Sequence, residues 1–240
     1  MRAVTFDFWG TLVSGHEPPE KRSERYQRLA ERLATAGYPR APEEVAVALD
    51  EASRRADTIA RERFVDVGPP GRWRFLLEAL GVPAERVPYD RASADALEGA
   101  TLSHLPEPIP GVAELLQVLR GRYRLAVISN TGITGGTYLR QVLAAHRLLD
   151  YFDVLSFSNE VGTVKPHPRI FWHTLEQLGV APSEAVHVGD VEELDVAGAR
   201  NAGLRAVLHY VPHGGSSGAD HTFQQMAEVP TLLEGLCSHP

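Results

Sequence analysis

Residues 3–12 read AVTFDFWGTL, and this stretch decides the fold of the chain. Its first half is a short apolar run rich in β-forming residues. The run ends in Gly10-Thr11, so it predicts a buried strand that is closed by a turn. Four later runs share this texture, namely LAVIS (125–129), DVLSF (153–157), AVHVG (185–189) and RAVLH (205–209). Nearly continuous apolar runs are typical of parallel strands that are covered on both faces.

Helix patterns alternate with these strands. They lie at about 112–121, 135–147, 168–179 and 193–203, with a last one near 222–236. Strand–helix alternation at this spacing predicts the α/β class, with a doubly wound parallel, Rossmann-like core.

The stretch from about 20 to 103 contains helix signals only. The predicted helices are one that ends at Gly37 and others at about 42–63, 71–80 and 90–103. Prolines separate them, and the proline-rich LPEPIPG (105–111) follows as a hinge. Because this block follows the first strand, we predict a core domain of residues 1–14 and 106–240 and an inserted four-helix cap domain of residues 15–105.

The composition is that of a globular, acidic protein. The chain has 240 residues, of which 43% are hydrophobic, and its net charge is −7. It therefore lacks the basic footprint of a nucleic-acid partner or a membrane surface. No apolar run approaches the roughly 20 residues that span a bilayer, and no signal-peptide pattern precedes the first strand. We expect a cytoplasmic protein whose partner is a small molecule, and the sequence leaves the oligomeric state open.

Chemically active side chains follow the predicted strands. Asp7 comes after the first strand, Ser129-Asn130 closes the second, and Asp190 follows the fourth. Lys165 lies in the loop beyond the third strand, and Asp195 comes five residues after Asp190. Because the carboxyl ends of parallel strands share one edge of a sheet, we expect these side chains to meet there.

This set of residues suits phosphoryl transfer. Carboxylates bind Mg²⁺, which neutralises a phosphoryl group, and lysine and hydroxyl groups hold its remaining oxygens. An aspartate can also attack phosphorus and form an aspartyl-phosphate. Lys165 stands out because only two of the 24 basic residues are lysines, the other being Lys21. Lysine offers a compact point charge that the broad arginine fork cannot replace.

Together these motifs resemble the haloacid dehalogenase superfamily of hydrolases. Residues 7–12 (DFWGTL) look like its first motif, Ser129 its second, and Lys165-Pro166 its third. Gly189-Asp190, followed by four residues and then Asp195, looks like the fourth, and 195–203 (DVAGARNAG) also resembles the family. The resemblance covers the whole chain, and the helical insert is similar to the commoner cap of the family.

The resemblance implies a role for each motif residue. Asp7 would be the nucleophile, and Asp7, the Trp9 backbone carbonyl and Asp190 would ligate Mg²⁺. Asp195 would support the metal site.

The substrate would be held by the remaining motif residues. Ser129 and Lys165 would act with Asp7 in catalysis and bind the phosphoryl oxygens, while Asn130 and Thr11 would complete the substrate-binding loops. Outside the motifs, four cap residues are possible substrate contacts: Arg22, Arg25, Arg72 and Trp73.

Trp9 departs from the family pattern. Phosphatases of the family usually carry a second aspartate there as general acid and base, and an indole cannot transfer a proton. An aromatic residue resembles the dehalogenase branch, as does Ser129-Asn130, whereas the pair Asp190 and Asp195 resembles a phosphatase metal site. Phe171 stands where dehalogenases tend to have tyrosine.

We therefore expect a Mg²⁺-dependent phosphatase that acts on a small phosphorylated molecule through an aspartyl-phosphate. Two alternatives stay open: a metal-free 2-haloacid dehalogenase that uses Asp7, and a catalytically quiet protein that binds a phosphorylated ligand. A phospho-accepting receiver domain also uses an aspartate and a lysine on a parallel sheet, but the long helical insert speaks against it.

Overall fold

One parallel sheet of six strands runs through the computed structural model, which describes residues 1–215 and 217–238. The strands are β1 (Ala3–Phe6), β2 (Arg124–Ser129), β3 (Val154–Phe157), β4 (Ala185–Gly189), β5 (Ala206–Tyr210) and β6 (His221–Phe223). Their order in the sheet is β3-β2-β1-β4-β5-β6. The predicted doubly wound α/β fold is thereby confirmed.

Strand β1 lies where the strand order reverses. Phe6 is in register with Val127 of β2 on one side and with Val188 of β4 on the other. All four residues of β1 are buried, as the apolar run predicts. Ligand sites of open α/β sheets lie beside the carboxyl ends of the strands at such a reversal. Asp7 directly follows β1 at this reversal, and Gly10 comes soon after it.

Helices fill the long connection between β1 and β2. They are α1 (Pro19–Thr35), α2 (Pro42–Arg63), α3 (Gly68–Ala79), α4 (Arg91–Glu98) and α5 (Ala100–Ser103). The single helix predicted at 90–103 is interrupted at Gly99, so the region holds α4 and α5 in its place. The apolar faces of these helices bury Leu33, Leu76 and Leu97 in one cluster.

The first of the remaining helices precedes β2, and the others follow the later strands. They are α6 (Val112–Leu119), α7 (Gly136–Ala145), α8 (Ser158–Val161), α9 (Pro168–Leu178), α10 (Ala197–Asn201) and α11 (Val229–Ser238). Residues 1–15, residues 107–130 and the described residues from 143 onward form one compact unit, which contains the sheet. Residues 16–106 form a second unit together with residues 131–142.

Residues 131–142 are tied to the helical unit by specific bonds. The Thr131 hydroxyl donates to Asp66 over 3.0 Å, and the Gly135 amide donates to Glu98 over 2.6 Å. The core and cap boundaries derived from the sequence stay a prediction. The structure adds that this stretch, which directly follows the second motif, packs with the helices.

Two predicted helices begin later than expected. The pattern near 222–236 contains the edge strand His221–Phe223, and α11 starts at Val229. Three residues are too few to show a strand period, and the pairing partner of β6 is the distant β5. The pattern at 193–203 opens with a π-helical turn, Glu192–Val196, before α10. Within the described residues, no helix combines the length and apolar character that crossing a membrane requires.

Candidate active site

Three predicted site residues lie side by side at the carboxyl edge of the sheet. Asp7 follows β1, Ser129 ends β2, and Asp190 follows β4. The Asp7 amide continues the β1–β4 pairing by donating to the Val188 carbonyl over 2.9 Å. The strand order therefore brings Asp7 beside two residues that lie more than 100 positions later in the sequence.

Lys165 joins the first and fourth motifs. Its ammonium nitrogen Nζ lies 2.5 Å from Asp7 Oδ1 and 2.6 Å from Asp195 Oδ1. The Lys165 side chain is 1% exposed, so these charge-assisted bonds form away from water. A compact ammonium fits between two carboxylates, which agrees with lysine being kept at this position.

The backbone of Lys165 is held by Asn130. The Asn130 side chain accepts a bond from the Lys165 amide over 2.8 Å and donates to the Lys165 carbonyl over 3.0 Å. The Lys165-Pro166 peptide bond is cis. Asn130 thus anchors the loop of the third motif. Its predicted contact with substrate stays a prediction.

Asp195 is buried beneath the site by the π-helical turn. Its Oδ2 accepts a bond from the Val191 amide over 3.0 Å, while its Oδ1 faces Lys165. Gly189 makes this position possible, because a Cβ there would lie 2.3 Å from Asp195 Cγ. The glycine before the fourth-motif aspartate is therefore a steric requirement of the site.

The first-motif loop closes onto Asp190. The Thr11 hydroxyl donates to Asp190 Oδ1 over 3.2 Å. Gly10 adopts a φ of +76°, and a Cβ at this position would lie 2.1 Å from Asp190 Oδ2. Any other residue at position 10 would be strained and would displace the carboxylate. Thr11 thus serves the loop, and its predicted contact with substrate is not tested by the structure.

Trp9 and Ser129 border the same edge. The Trp9 ring is half-buried and lies edge-on to Phe8, with 4.9 Å between the ring centroids. Ser129 is fully buried, and its hydroxyl donates to the Asn130 carbonyl over 3.3 Å. At this length the hydroxyl bond is weak, and the predicted contact of Ser129 with substrate stays a prediction.

Negative charge exceeds positive charge in the cluster. Oxygens of Asp7, Asp190 and Asp195 all lie within 4.8 Å of one another. Burial is the largest effect on Asp7 and raises its pKa to about 8, because the nearby Asp195 charge adds to burial and Lys165 offsets only part of it. Burial, reinforced by the Asp195 charge, also raises the pKa of Asp190.

Lys165 and Asp195 keep their charges. Burial opposes ionisation of Asp195, but the Lys165 charge and a hydrogen bond from His187 outweigh it and hold the pKa of Asp195 below its usual range. Burial likewise opposes the Lys165 ammonium, yet Asp195 and Asp7 raise its pKa. Lys165 therefore stabilises the ionised form of Asp195 more than that of Asp7, and at Asp7 the lysine charge offsets only part of the effect of burial.

This cluster fits Mg²⁺. With all three carboxylates ionised and Lys165 protonated, its net charge is −2, which one divalent cation balances. The donors are oxygens, the ligands that Mg²⁺ prefers. Asp7, Asp190 and the Trp9 carbonyl would hold the ion. Asp195 already accepts bonds on both oxygens, which suits it to a supporting role.

The cap residues considered from sequence have partners of their own. Arg25 is buried and bonds Glu17 and the Leu97 carbonyl, over 2.7 and 3.0 Å. Arg72 bonds Asp57 over 2.7 Å, and the Trp73 indole donates to the Val87 carbonyl over 2.9 Å. These bonds give Arg25, Arg72 and Trp73 structural roles within the helical unit.

Sequence reasoning missed His187, which lies within β4. This histidine is fully buried, and its Nε2 is 3.0 Å from Asp195 Oδ1. The signal was present in AVHVG (185–189), where one titratable residue interrupts an apolar strand. A polar group in such a strand requires a buried partner.

The chain is similar to known hydrolases over most of its length. The family model for haloacid dehalogenase-like hydrolases matches residues 1–203. The chain is 37% identical over 158 residues to the pyrimidine 5'-nucleotidase YjjG of Escherichia coli, covering 65% of this chain and 68% of that protein. It is 30% identical over 211 residues to the glyceraldehyde 3-phosphate phosphatase of Methanopyrus kandleri, covering 86% of this chain and 83% of that protein.

A solved structure shares the fold. The 2-haloacid dehalogenase from Pseudomonas syringae superposes with a TM-score of 0.69 at 24% identity, covering 98% of this chain and 99% of that chain. At this identity the likeness establishes the fold alone.

Proposed function

The chain belongs to the haloacid dehalogenase-like hydrolases, and from that premise we propose that it is a Mg²⁺-dependent phosphatase of a small phosphorylated molecule. Membership confirms the resemblance that the motifs indicate and makes the protein a hydrolase. One observation carries the proposal: Asp7 lies beside Asp190 and is bound by Lys165 Nζ over 2.5 Å. Relatives that are phosphatases support it.

Asp7 supplies the nucleophile in this proposal. Lys165 binds Oδ1, so we assign the attack on phosphorus to Oδ2. The bond from Oδ2 to phosphorus forms as the bond from phosphorus to the leaving oxygen breaks, which gives an aspartyl-phosphate. Water then attacks this phosphorus, the bond to Oδ2 breaks, and inorganic phosphate leaves with Asp7 restored.

Lys165 and Ser129 act on charge that develops during the transfer. The Lys165 ammonium orients Asp7 and faces the phosphoryl oxygens, and the Ser129 hydroxyl donates to one of them. Preorganised donors of this kind stabilise a transition state without reorganising. Bound Mg²⁺ would neutralise phosphoryl charge and favour the ionised form of Asp7.

Metal removal tests the cofactor. Excess chelator is expected to abolish hydrolysis of p-nitrophenyl phosphate. Asp190→Ala should raise the Mg²⁺ concentration for half-maximal activity by at least about tenfold, since losing even an outer partner of a metal ligand costs roughly 10–100-fold in affinity. Glu193→Ala removes an exposed acid from the π-helical turn and should leave the Mg²⁺ dependence unchanged. Full activity in chelator would reject the magnesium proposal.

Trp9 selects the leaving group in this proposal. Because the indole offers no acid to the leaving oxygen, that oxygen must take its proton from water or from the substrate. Aryl and acyl phosphates have leaving groups that need no proton. We therefore expect this enzyme to favour them over alkyl phosphates such as sugar phosphates, more strongly than relatives that have the second aspartate.

The variant Trp9→Asp tests this selection. It should raise hydrolysis of alkyl phosphates, by at most the roughly 10²–10⁴-fold that general acid–base catalysis supplies. Trp9→Asn introduces a side chain of nearly the same shape as aspartate but without the acid, so it should give no gain in hydrolysis of alkyl phosphates. The Trp9 ring is half-buried, so we expect either change to cost about 2 kcal/mol of stability, around half the cost for a fully buried ring. A folded, metal-binding Trp9→Asp variant without any gain would refute the missing-acid explanation.

A metal-free 2-haloacid dehalogenase is the second candidate, and Trp9 is the observation that favours it. In this reaction a bond forms from Asp7 to the carbon that bears the halogen as the carbon–halogen bond breaks, and the halide leaves without a proton, so this chemistry needs no general acid. The excess of carboxylates opposes it, because a haloacid is itself an anion. Chloride release from 2-chloropropionate in excess chelator would support the dehalogenase, whereas phosphate release only with Mg²⁺ would support the phosphatase.

A further inference from the structure

The proposed mechanism assigns no role to His187, which contacts two polar side chains. The histidine lies in the centre of the sheet and is 0% exposed. Its Nε2 is 3.0 Å from Asp195 Oδ1, and its Nδ1 is 2.8 Å from Thr5 Oγ1. Phe171 packs edge-on against the ring, with 5.1 Å between the centroids, and fixes its plane.

The partners determine which nitrogen carries the proton. The Asp195 carboxylate is ionised and only accepts hydrogen bonds, so Nε2 of His187 donates to it. Burial lowers the pKa of His187, which favours the neutral ring, and in that ring Nδ1, 2.8 Å from Thr5 Oγ1, accepts from the Thr5 hydroxyl. The Val186 carbonyl, which can also accept from that hydroxyl, lies farther away, at 3.3 Å.

Asp195 is consequently held from several directions. Its Oδ1 accepts from His187 and, over 2.6 Å, from Lys165, while its Oδ2 accepts from the Val191 amide over 3.0 Å. His187 and Val191 fix the plane of the carboxylate. Without His187, Oδ1 would lose one of these two donors, and the carboxylate would be held less firmly against rotation about its Cβ–Cγ bond.

We propose that His187 is a positioning residue that acts on the nucleophile through Asp195 and Lys165. The hydrogen bonds run from Thr5 through these residues to Asp7. His187 fixes Asp195, Asp195 fixes the Lys165 ammonium, and the ammonium holds Asp7 Oδ1 in the orientation for attack. This inference rests on the proposed function and deepens it, because it names what aligns the nucleophile of the same site.

Two substitutions separate a donated bond from simple packing. His187→Phe keeps a ring against Phe171 but removes the donor, and it is expected to lower kcat for p-nitrophenyl phosphate roughly 10–100-fold, the usual cost of an outer-sphere hydrogen bond at such a site. His187→Gln places an amide donor where Nε2 lies and should restore most of that loss. A Gln variant as impaired as the Phe variant would overturn the proposal, because packing alone would then explain His187.

The Lys165 ammonium gives a readout that does not depend on activity. Lysine occurs only at positions 21 and 165, so lysine labelled with ¹³C and ¹⁵N gives two side-chain NMR signals, which Lys165→Arg assigns. In metal-free protein, His187→Phe should shift the Lys165 signal and speed exchange of its ammonium protons with water. The Lys21 signal should not move. An unchanged Lys165 signal in the folded Phe variant would overturn the proposal.

A matched pair of threonine variants separates the specific effect of the Thr5 hydroxyl from the general effect of losing a buried hydroxyl group. Thr5 and Thr174 are both 0% exposed, and each hydroxyl bonds a neighbouring side chain over 2.8 Å. Thr5→Val should perturb the Lys165 signal, because His187 loses its donor. Thr174→Val should leave that signal as in the wild type. Equal effects of the two variants would mean that the Lys165 signal reports general destabilisation, which would also overturn the proposal.

The imidazole itself decides the case if His187→Phe does not fold. Nitrogen-15 shifts of wild-type His187 should show a neutral ring with its proton on Nε2, and a proton on Nδ1 would overturn the proposal. A wild type that hydrolyses no phosphate ester would reject the proposed function instead. The two failures are distinguishable because both NMR measurements are made on metal-free protein without substrate.

Discussion

Asp7→Asn is expected to lower kcat by roughly 10⁴-fold or more, as loss of a covalent nucleophile does in other enzymes. Asparagine has nearly the same shape but no anionic oxygen for the attack on phosphorus. The fold should survive and even gain stability, because the substitution removes one of the crowded carboxylates around Lys165. Phosphate release and the thermal unfolding midpoint are the two measurements.

Asp150→Asn is the matched control for this prediction. Asp150 is exposed in the short helical turn Leu149–Tyr151, outside the motifs. Asp150→Asn makes the same chemical change as Asp7→Asn. Because it does so away from the site, the turnover of this variant should equal that of the wild type. Wild-type turnover by a folded Asp7→Asn protein would reject the covalent mechanism.

Lys165→Arg is expected to lower kcat at least about 100-fold, the lower range for loss of one transition-state donor, and nearly as much as Lys165→Ala. The charge is kept, but the guanidinium is too broad for a site in which one nitrogen contacts Asp7 over 2.5 Å and Asp195 over 2.6 Å. Steady-state kinetics of both variants with p-nitrophenyl phosphate measure the effect.

Lys21 offers a matched comparison. It is the other lysine of the chain and is also buried, but it lies in α1 of the helical unit. Lys21→Arg should keep turnover close to that of the wild type. If Lys165→Arg is fully active, the position requires only a positive charge, and the proposed fit of an ammonium between two carboxylates is wrong.

The sheet and the motifs could be predicted from the sequence because local patterns of residues mark both. The apolar runs mark five of the strands, and the polar residues at their ends identify Asp7, Ser129 and Asp190. The alternation of strands and helices predicts the doubly wound parallel sheet, whereas the strand order with its reversal at β1 comes from the structure. Lys165 is marked by composition, since arginine supplies nearly every other positive charge.

Contacts between residues that are far apart in the chain could not be predicted from the sequence. Strand β6 has three residues and exists through its pairing with β5. The Asn130 side chain binds a backbone 35 residues away, and nothing near Asn130 indicates this. The π-helical turn that buries Asp195 depends on the missing side chain of Gly189. His187 is visible as a polar residue in an apolar strand, but its partners Thr5 and Asp195 appear only in the folded chain.

Detection of the phosphorylated nucleophile tests the proposed phosphatase mechanism most directly. The protein is mixed with p-nitrophenyl phosphate and Mg²⁺, quenched in acid during turnover, and digested for mass spectrometry. We expect a phosphoryl group on the peptide that contains Asp7, removed by hydroxylamine as acyl phosphates are, and absent in excess chelator and in Asp7→Asn. Release of inorganic phosphate without any label on Asp7, or a label that forms equally well in chelator, would contradict the Mg²⁺-dependent aspartyl-phosphate mechanism.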